Sequence, residues 1–395
     1  MSYSAPFAGL KVIDLCQGVA GPYCAMLLAQ HGANVIKVEP RGEGDWSRTL
    51  GTLHGQHSPM SMVCNMGKRS VSLDLQSDAG RTVLWKLIEG ADIFMEAFRP
   101  GVIARLGFGY DAIREREKRL LYLSVSGFGQ KGPLSERPSM DPVLQAYTGM
   151  MYQNRMDDGT PQRVPIIVAD MATGLYAYQA LSTALYARRN EEHGAHFDIN
   201  LMQSAAALQA VGMITMYMDP PPTPRQPGAL TAGIHPTKDG WIQIATVLNR
   251  DWVKLCEVLG VPEIAKKPHF KTPKLRGENS QELYSIIRPR IAKHTTEQLS
   301  KLLADARLMH SRVNTYAQFM AEPQVQAMGT LQWLEQPDIS KPAPFAVVPG
   351  IQPRTNGEPK AISPTRGQHN IEVLLEHGYT VPQIEDMIAK GVVGG

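Results

Sequence analysis

Residues 11–126 alternate between short apolar runs and segments with helical spacing, and this alternation limits the possible folds more than any other feature. The apolar runs predict strands at residues 11–15, 33–39, 70–75, 92–98 and 120–126. Strands that alternate with helices predict an α/β fold, a mostly parallel sheet with helices on both faces. Ligands bind such sheets beyond the carboxyl ends of the strands, where the turns at 18–22, 99–101 and 127–132 fall.

A single carboxylate stands where another apolar run, residues 164–169, meets a long alanine-rich helix. Leu175, Tyr178 and Leu181 recur at helical spacing after Asp170 and predict a buried helix. Unpaired amides and the macrodipole at the helix N-terminus are expected to keep Asp170 ionised. Taken alone, Asp170 is most simply interpreted as the N-cap of this helix.

The second half of the chain indicates a further domain. A proline-rich stretch at residues 219–224 predicts a linker. Beyond it, Asp239-Gly240 between apolar runs predicts a β-hairpin, and helical segments follow. We predict a large domain at 1–219, a linker and small domain at 220–325, and a C-terminal segment at 326–395 that returns to the large domain.

Composition and motifs argue against several classes of function. The net charge of +3 is too small to indicate nucleic-acid binding, although it suits a modestly anionic small ligand. The four cysteines form no CxxC pair, and no histidine has a metal-ligand spacing with carboxylate support, so no metal site is predicted. The GxGxxG, GxSxG and Walker patterns are absent, which argues against a nicotinamide cofactor, a serine hydrolase and a P-loop.

The sequence also predicts a cytoplasmic protein without a membrane partner. Its most apolar long stretch, residues 205–218, is too short to cross a bilayer. The first residues lack the pattern of a secretory signal, and unpaired cysteines suit a reducing compartment.

Basic residues cluster near the predicted ligand edge of the sheet. Arginine forks clamp phosphates, so the cluster fits a polyphosphate such as a nucleotide. Taken singly, each of these residues is better explained as a solvated surface group. The cluster consists of Lys37, Arg41, Arg48, Lys68, Arg69, Arg99 and Arg105.

Several motifs, in this order along the chain, resemble the class III CoA-transferases of the CaiB/BaiF type. Each motif is weak alone, but together they run from residue 7 to residue 391 and are specific. They are FAGLKVIDL at 7–15, AGP at 20–22, GANVIKVE at 32–39, GD at 44–45, KRSV at 68–71, GFGQKGP at 127–133, ADMATG at 169–174 and the closing helix at 384–390 before Gly391.

This resemblance implies a fold and a reaction. The fold would be a Rossmann-like large domain with a smaller α+β domain, and two chains would interlock as a homodimer. The reaction would move CoA from an acyl-CoA to a free carboxylic acid, with CoA as substrate and no permanently bound cofactor. Asp170 stands at the position of the family's catalytic aspartate, which forms an acyl-aspartyl anhydride and then an aspartyl-CoA thioester.

The resemblance also implies the residues that contact CoA, and it shows two departures from the family pattern. Some relatives have Asn at the position of Ala97 and an aromatic residue at that of Met140, so the resemblance does not determine the shape of the pocket. The implied CoA contacts are Gly18, Val19, Ala20, Arg41, Leu73, Arg99 and Arg105.

Two alternatives to the transferase remain. Related 2-methylacyl-CoA racemases use a histidine where this chain has Met140, and methionine cannot exchange a proton, which argues against that activity. A CoA-binding protein without turnover would need only the phosphate contacts. The sequence does not identify the donor and acceptor acids, although a basic residue such as Arg163 would suit the second carboxylate of a succinate-like acid.

Overall fold

A computed structural model describes residues 5–156, 158–218, 233–246 and 248–394. The chain divides into two compact units, one formed by Met1–Gly212 with Met328–Gly395 and the other by Met213–Ala327. The predicted linker at residues 219–224 lies outside the described residues.

Six parallel strands form the main sheet of the first unit. Their order is β3-β2-β1-β4-β5-β6, and it reverses between β1 and β4, the topological switch point of a doubly wound, Rossmann-like sheet. The strands are β1 Lys11–Asp14, β2 Asn34–Pro40, β3 Arg69–Leu73, β4 Ile93–Glu96, β5 Leu121–Ser126 and β6 His196–Asn200.

Helices cover both faces of this sheet. They are α1 Ala20–Gln30, α2 Pro59–Asn65, α3 Asp78–Ile88, α4 Val102–Arg105, α5 Tyr110–Arg116, α6 Asp141–Tyr147, α7 Met150–Gln153, α8 Val168–Ala187 and α9 Leu201–Leu208, followed by α10 Ala210–Met218 at the sequence boundary of the units. Successive strand residues face opposite sides. Val12 and Leu123 therefore pack with α1 and α8, whereas Ile13 and Phe94 face a core that contains α3.

The second unit contains a three-stranded antiparallel sheet and its own core. Its strands are β7 Gly233–Pro236, β8 Trp241–Ala245 and β9 Met309–Arg312, and β7 and β8 form the predicted hairpin. Ile242, Trp252 and Leu283 are buried in the core. The helices are α11 Asn249–Val258, α12 Pro273–Glu278, α13 Ser280–Ile291, α14 Thr296–Asp305, α15 Tyr316–Ala321 and α16 Pro323–Ala327.

The end of the chain belongs to the first unit. β10 Leu331–Leu334 and β11 Ala343–Ala346 form an antiparallel pair, and they are followed by α17 Asn370–Glu376 and α18 Val381–Ala389. Val373 and Ile384, from these helices, pack in the same core as α3. Across the described ranges, none of the helices is both long and apolar enough to cross a bilayer.

The predicted fold class, a Rossmann-like sheet with a smaller α+β part, is confirmed. The predicted strand at residues 92–98 is too long, because its apolar run continues past the end of β4 at Glu96. The Glu96 carboxyl group accepts a hydrogen bond from the amide of Phe98 at 2.9 Å, and this contact turns the chain away from the sheet.

Candidate active site

A cavity of about 550 Å³ opens at the carboxyl edge of the sheet, near the switch point between β1 and β4. The turns after β1, β4 and β5 and the start of α8 line it, through residues that include Val19, Ala20 and Met140. Among its described lining residues, Arg99 and Arg137 are the basic ones and Asp170 is the acidic one. This charge distribution suits an anionic ligand.

Asp170 is the third residue of α8, partly buried, and it borders this cavity. Burial, followed by the negative charge of Asp141, raises the pKa of Asp170 to about 7. The helix N-terminus therefore does not keep Asp170 fully ionised at neutral pH, because burial disfavours the charged form and the negative charge of Asp141 adds to this effect.

Asp141, at the start of α6, caps α8 in place of Asp170. Its Oδ2 accepts hydrogen bonds from the amides of Ala169 at 2.7 Å and Asp170 at 3.2 Å. Its Oδ1 accepts one from the Gln145 side chain at 2.6 Å, and the Gln145 oxygen accepts the amide of Val164. The interpretation of Asp170 as an N-cap is therefore wrong, and its carboxyl group is left for the cavity.

Buried ionic contacts fix the turn after β1. Lys37 Nζ contacts Asp45 Oδ2 at 2.7 Å and donates to the carbonyl oxygen of Cys16 at 2.6 Å. Asp45 Oδ1 accepts the amide of Gly18 at 2.8 Å. Gly18 has a φ of +83°, and a Cβ added there would lie 2.1 Å from the Trp46 ring, so the turn requires glycine.

Two further cavities continue along the same edge. One, of about 340 Å³, shares Gln17 and Phe98 with the Asp170 cavity and is also lined by Arg41 and Leu73. The next, of about 520 Å³, shares wall residues with the second and contains Arg105. The three adjoining cavities thus bring together most of the site residues that the sequence predicted.

Four of the seven clustered basic residues form ion pairs with acidic side chains. Lys37, Arg48 and Lys68 are buried in ion pairs with Asp45, Glu39 and Asp14. Arg69 contacts Glu372 and Glu376 on α17. The expectation of a phosphate clamp therefore does not hold for these four. Arg41, Arg99 and Arg105 line the cavities, and Arg41 also donates to the carbonyl oxygen of Gly391.

Several lining residues were missed in the sequence. Gln17 directly precedes the predicted Gly18 turn, and this position could have identified it as a lining residue. Trp46 and Arg137 lie in loops without a local sequence pattern. Arg163 is exposed and does not line the Asp170 cavity. Over the ranges for which positions are described, no group of three or more His, Cys, Asp or Glu side chains could hold a metal ion.

Comparisons with known proteins find a matching family model and similar sequences. The family model for CoA-transferase family III matches residues 7–370. Succinyl-CoA:glutarate CoA-transferase from Homo sapiens is 31% identical over 403 residues, which cover 100% of this chain and 91% of that protein. Acetyl-CoA:oxalate CoA-transferase from Acetobacter aceti is 34% identical over 293 residues, which cover 73% of this chain and 75% of that protein.

The fold is also similar to a solved structure. A crystal structure of a CaiB/BaiF family protein from Brucella suis matches with a TM-score of 0.84 and 28% identity. The match covers 95% of this chain and 100% of that chain.

Asp170→Asn should stabilise the fold in a pH-dependent manner. The pKa of Asp170 is higher in the folded chain than in the unfolded one, so its ionisation destabilises the fold increasingly from about pH 4 to about pH 7. We expect the Asn variant to be more stable than wild type by on the order of 2 kcal/mol at pH 8, and by less at pH 5. Thermal unfolding at both values measures this, with the exposed Asp305→Asn as the control. An equal difference at both values would contradict the raised pKa.

Proposed function

The chain belongs to CoA-transferase family III, and we propose that it transfers CoA from an acyl-CoA to a free carboxylic acid with Asp170 as the nucleophile. The observation that carries this proposal is the position of Asp170 at one end of three adjoining cavities. Along the described chain, its carboxyl oxygens accept no hydrogen bond, so they are available to react.

The first half of the proposed reaction loads CoA onto the enzyme. An oxygen of ionised Asp170 attacks the acyl carbon of the donor thioester, the C–S bond breaks, and CoA leaves as thiolate. The thiolate then attacks the Asp170 carbonyl carbon of the mixed anhydride and releases the donor acid as its carboxylate. The product is an aspartyl-CoA thioester.

The second half repeats these steps with the acceptor. Its carboxylate attacks the aspartyl-CoA thioester, which gives a new anhydride and free CoA thiolate. The thiolate attacks the acceptor's acyl carbon and releases Asp170 as a carboxylate. No proton, metal or redox partner is consumed in this sequence.

Each addition step creates an oxyanion that requires hydrogen-bond donors. The amides of Gly129 and Gln130 are already bonded to Ser126 and Asp198, so they are not free for this purpose. The side chain of Gln17 lines the cavity and makes no hydrogen bond within the described part of the chain. We assign it as the donor.

The proposed CoA site follows the three cavities. Val19 and Ala20 line the thioester end, and the Gly18 turn holds the adjoining backbone. Arg99, Arg41 and Arg105 occur in successive cavities, where their guanidinium groups suit the phosphates of CoA. Leu73, which lines the middle cavity, supplies an apolar contact.

We propose a dicarboxylic acid as the acceptor. The relatives named above act on glutarate and oxalate, as their names state. Arg137 lines the Asp170 cavity, and its guanidinium carbon lies 5.8 Å from the centre of the Phe128 ring, which supports its position. Ala97 and Met140, the two departures from the family pattern, line the same cavity and leave its wall apolar there.

We also propose that the protein works as a homodimer. None of the described residues of α10 is buried, and Ile214 and Tyr217 are 60% and 85% exposed. A separate cavity of about 570 Å³, between α8, β6 and α9, has a largely apolar wall. Exposed apolar surfaces of this kind indicate protein contacts.

Incubation with succinyl-CoA should leave CoA covalently attached to Asp170. Intact-protein mass spectrometry should detect an adduct of CoA mass that hydroxylamine removes. Asp170→Asn should give no adduct and should lose more than about 1,000-fold in turnover while it still binds CoA. CoA binding without an adduct across a panel of acyl-CoA donors would favour the racemase or the binding protein, and deuterium exchange at the acyl α-carbon would separate these two.

Arg137→Met should selectively weaken the binding of dicarboxylate acceptors. Loss of a charge-assisted hydrogen bond should raise the KM for a dicarboxylate acceptor by roughly 10- to 100-fold. The KM for a monocarboxylate acceptor of similar length serves as the internal control and should stay within about twofold. An equal loss for both acceptors would contradict the assignment.

Charges on α10 should disrupt the dimer. Sedimentation velocity should give wild type at twice the 43.5 kDa mass of the chain. Ile214→Glu combined with Tyr217→Glu should shift it toward monomer, because a charge in an apolar interface is costly. Ile371→Glu, at a 55% exposed position of α17, is the matched control. A wild-type monomer would contradict the proposal.

A further inference from the structure

Glu96 is a buried carboxyl group that the reaction above does not use. It ends β4, is 1% exposed, and its Oε2 accepts the amide of Phe98 at 2.9 Å. Phe98 borders both the Asp170 cavity and the cavity that contains Arg41. Glu96 therefore holds the turn at the junction of the proposed CoA cavities.

A chain of polar side chains connects Glu96 to the protein surface. Glu96 pairs in register with Ser124 on β5, so their side chains lie on the same face of the sheet, and Ser124 acts to lower the pKa of the Glu96 carboxyl group. Ser124 Oγ also lies 2.9 Å from Nε2 of His196 on β6. His196 is exposed and stacks on Tyr110, with ring centres 4.9 Å apart.

Other titratable groups face Glu96 from the neighbouring strands. They are Cys16 after β1, Tyr122 on β5, and His196 and Asp198 on β6. Burial raises the pKa of Cys16 and of Tyr122 and lowers the pKa of His196. All three shifts move the titration of these groups away from neutral pH, where Glu96 changes charge.

The Glu96 carboxyl group itself changes charge near neutral pH. Burial raises the pKa of Glu96 to about 7. Ser124 and the hydrogen bond from the Phe98 amide act in the opposite direction, and the charge of Asp198 adds to the increase. Glu96 therefore both holds the turn beside the cavity and changes its charge near neutral pH.

We propose that Glu96 is a positioning residue of the CoA site and that Ser124 and His196 exchange its proton with solvent. The inference rests on the proposed function. Ionised Glu96 accepts charge-assisted hydrogen bonds from Phe98 and Ser124, which hold the turn that carries Arg99. Protonated Glu96 donates to Ser124, Ser124 donates to Nε2 of neutral His196, and the bond from Phe98 weakens. Affinity for CoA should therefore rise as the pH increases through about 7.

The test measures CoA binding by calorimetry from pH 6 to pH 8.5 in the full chain with Asp170→Asn, so that Asp170 cannot titrate. We expect affinity to rise about three- to tenfold over this range. Adding Glu96→Gln should leave only the pH dependence of affinity that the phosphate of CoA itself causes, since the pKa of that phosphate lies near 6. Adding Ser124→Ala should move the transition to higher pH, because it removes a hydrogen bond to the ionised form.

Steady-state kinetics with otherwise wild-type protein provide the second readout. Glu96→Ala should raise the KM for acyl-CoA about tenfold and change kcat less than twofold. Glu96→Gln should recover part of this loss, because its oxygen still accepts the Phe98 amide. Glu117→Ala is the matched control, since Glu117 accepts the amide of Gly90 at 3.0 Å before β4 and β5 begin.

Three results would overturn the inference. An unchanged KM in Glu96→Ala, or a kcat that falls as much as the KM rises, would exclude the positioning role. A Glu96→Gln variant with the same pH dependence as its parent would exclude the titration. A folded Asp170→Asn chain that binds no CoA at any pH would overturn the proposed CoA site itself, and this inference with it.

Discussion

The site depends on charges that are buried in pairs. Lys37 with Asp45 and Lys68 with Asp14 have fully buried side chains at the carboxyl edge of the sheet. Burying one such charge alone costs several kcal/mol, so each is held in place by its partner. Burial alone would raise the pKa of Asp14, but Lys68 and Lys37 lower it, so it remains ionised. Through Cys16 and Gly18, these pairs fix the backbone beside the proposed nucleophile.

Asp170 differs from these acids because it has no counter-ion in the described part of the chain. Asp141, whose negative charge raises the pKa of Asp170, takes the helix amides that would otherwise stabilise ionised Asp170. The same edge of the sheet therefore contains acids neutralised by lysine and acids whose pKa is raised toward 7, Asp170 and Glu96. The first kind holds the backbone, and the second kind is suited to reaction and to titration.

Local patterns in the sequence were sufficient for the sheet but not for the contacts within the site. Apolar runs and glycine turns predicted the strands, because burial on both faces leaves a direct mark on sequence. The cap of α8 comes from Asp141, 29 residues before Asp170, and the partner of Lys68 is 54 residues away. Such pairings depend on the folded topology, so nothing near Lys68 distinguishes a buried ion pair from a phosphate ligand.

The raised pKa of Asp170 also affects how the proposed acyl-aspartyl anhydride would break down. In the acyl-aspartyl anhydride, thiolate can attack either carbonyl carbon, and the weaker base leaves more readily. Ordinary carboxylic acids have pKa values of about 4, so their carboxylates leave more readily than that of Asp170, whose pKa is about 7. In the proposed mechanism, thiolate attack is therefore biased toward the Asp170 carbonyl, which forms the aspartyl-CoA thioester instead of regenerating the donor acyl-CoA. In this proposal, the environment that raises the pKa of Asp170 would also retain CoA on the enzyme while the two acids exchange.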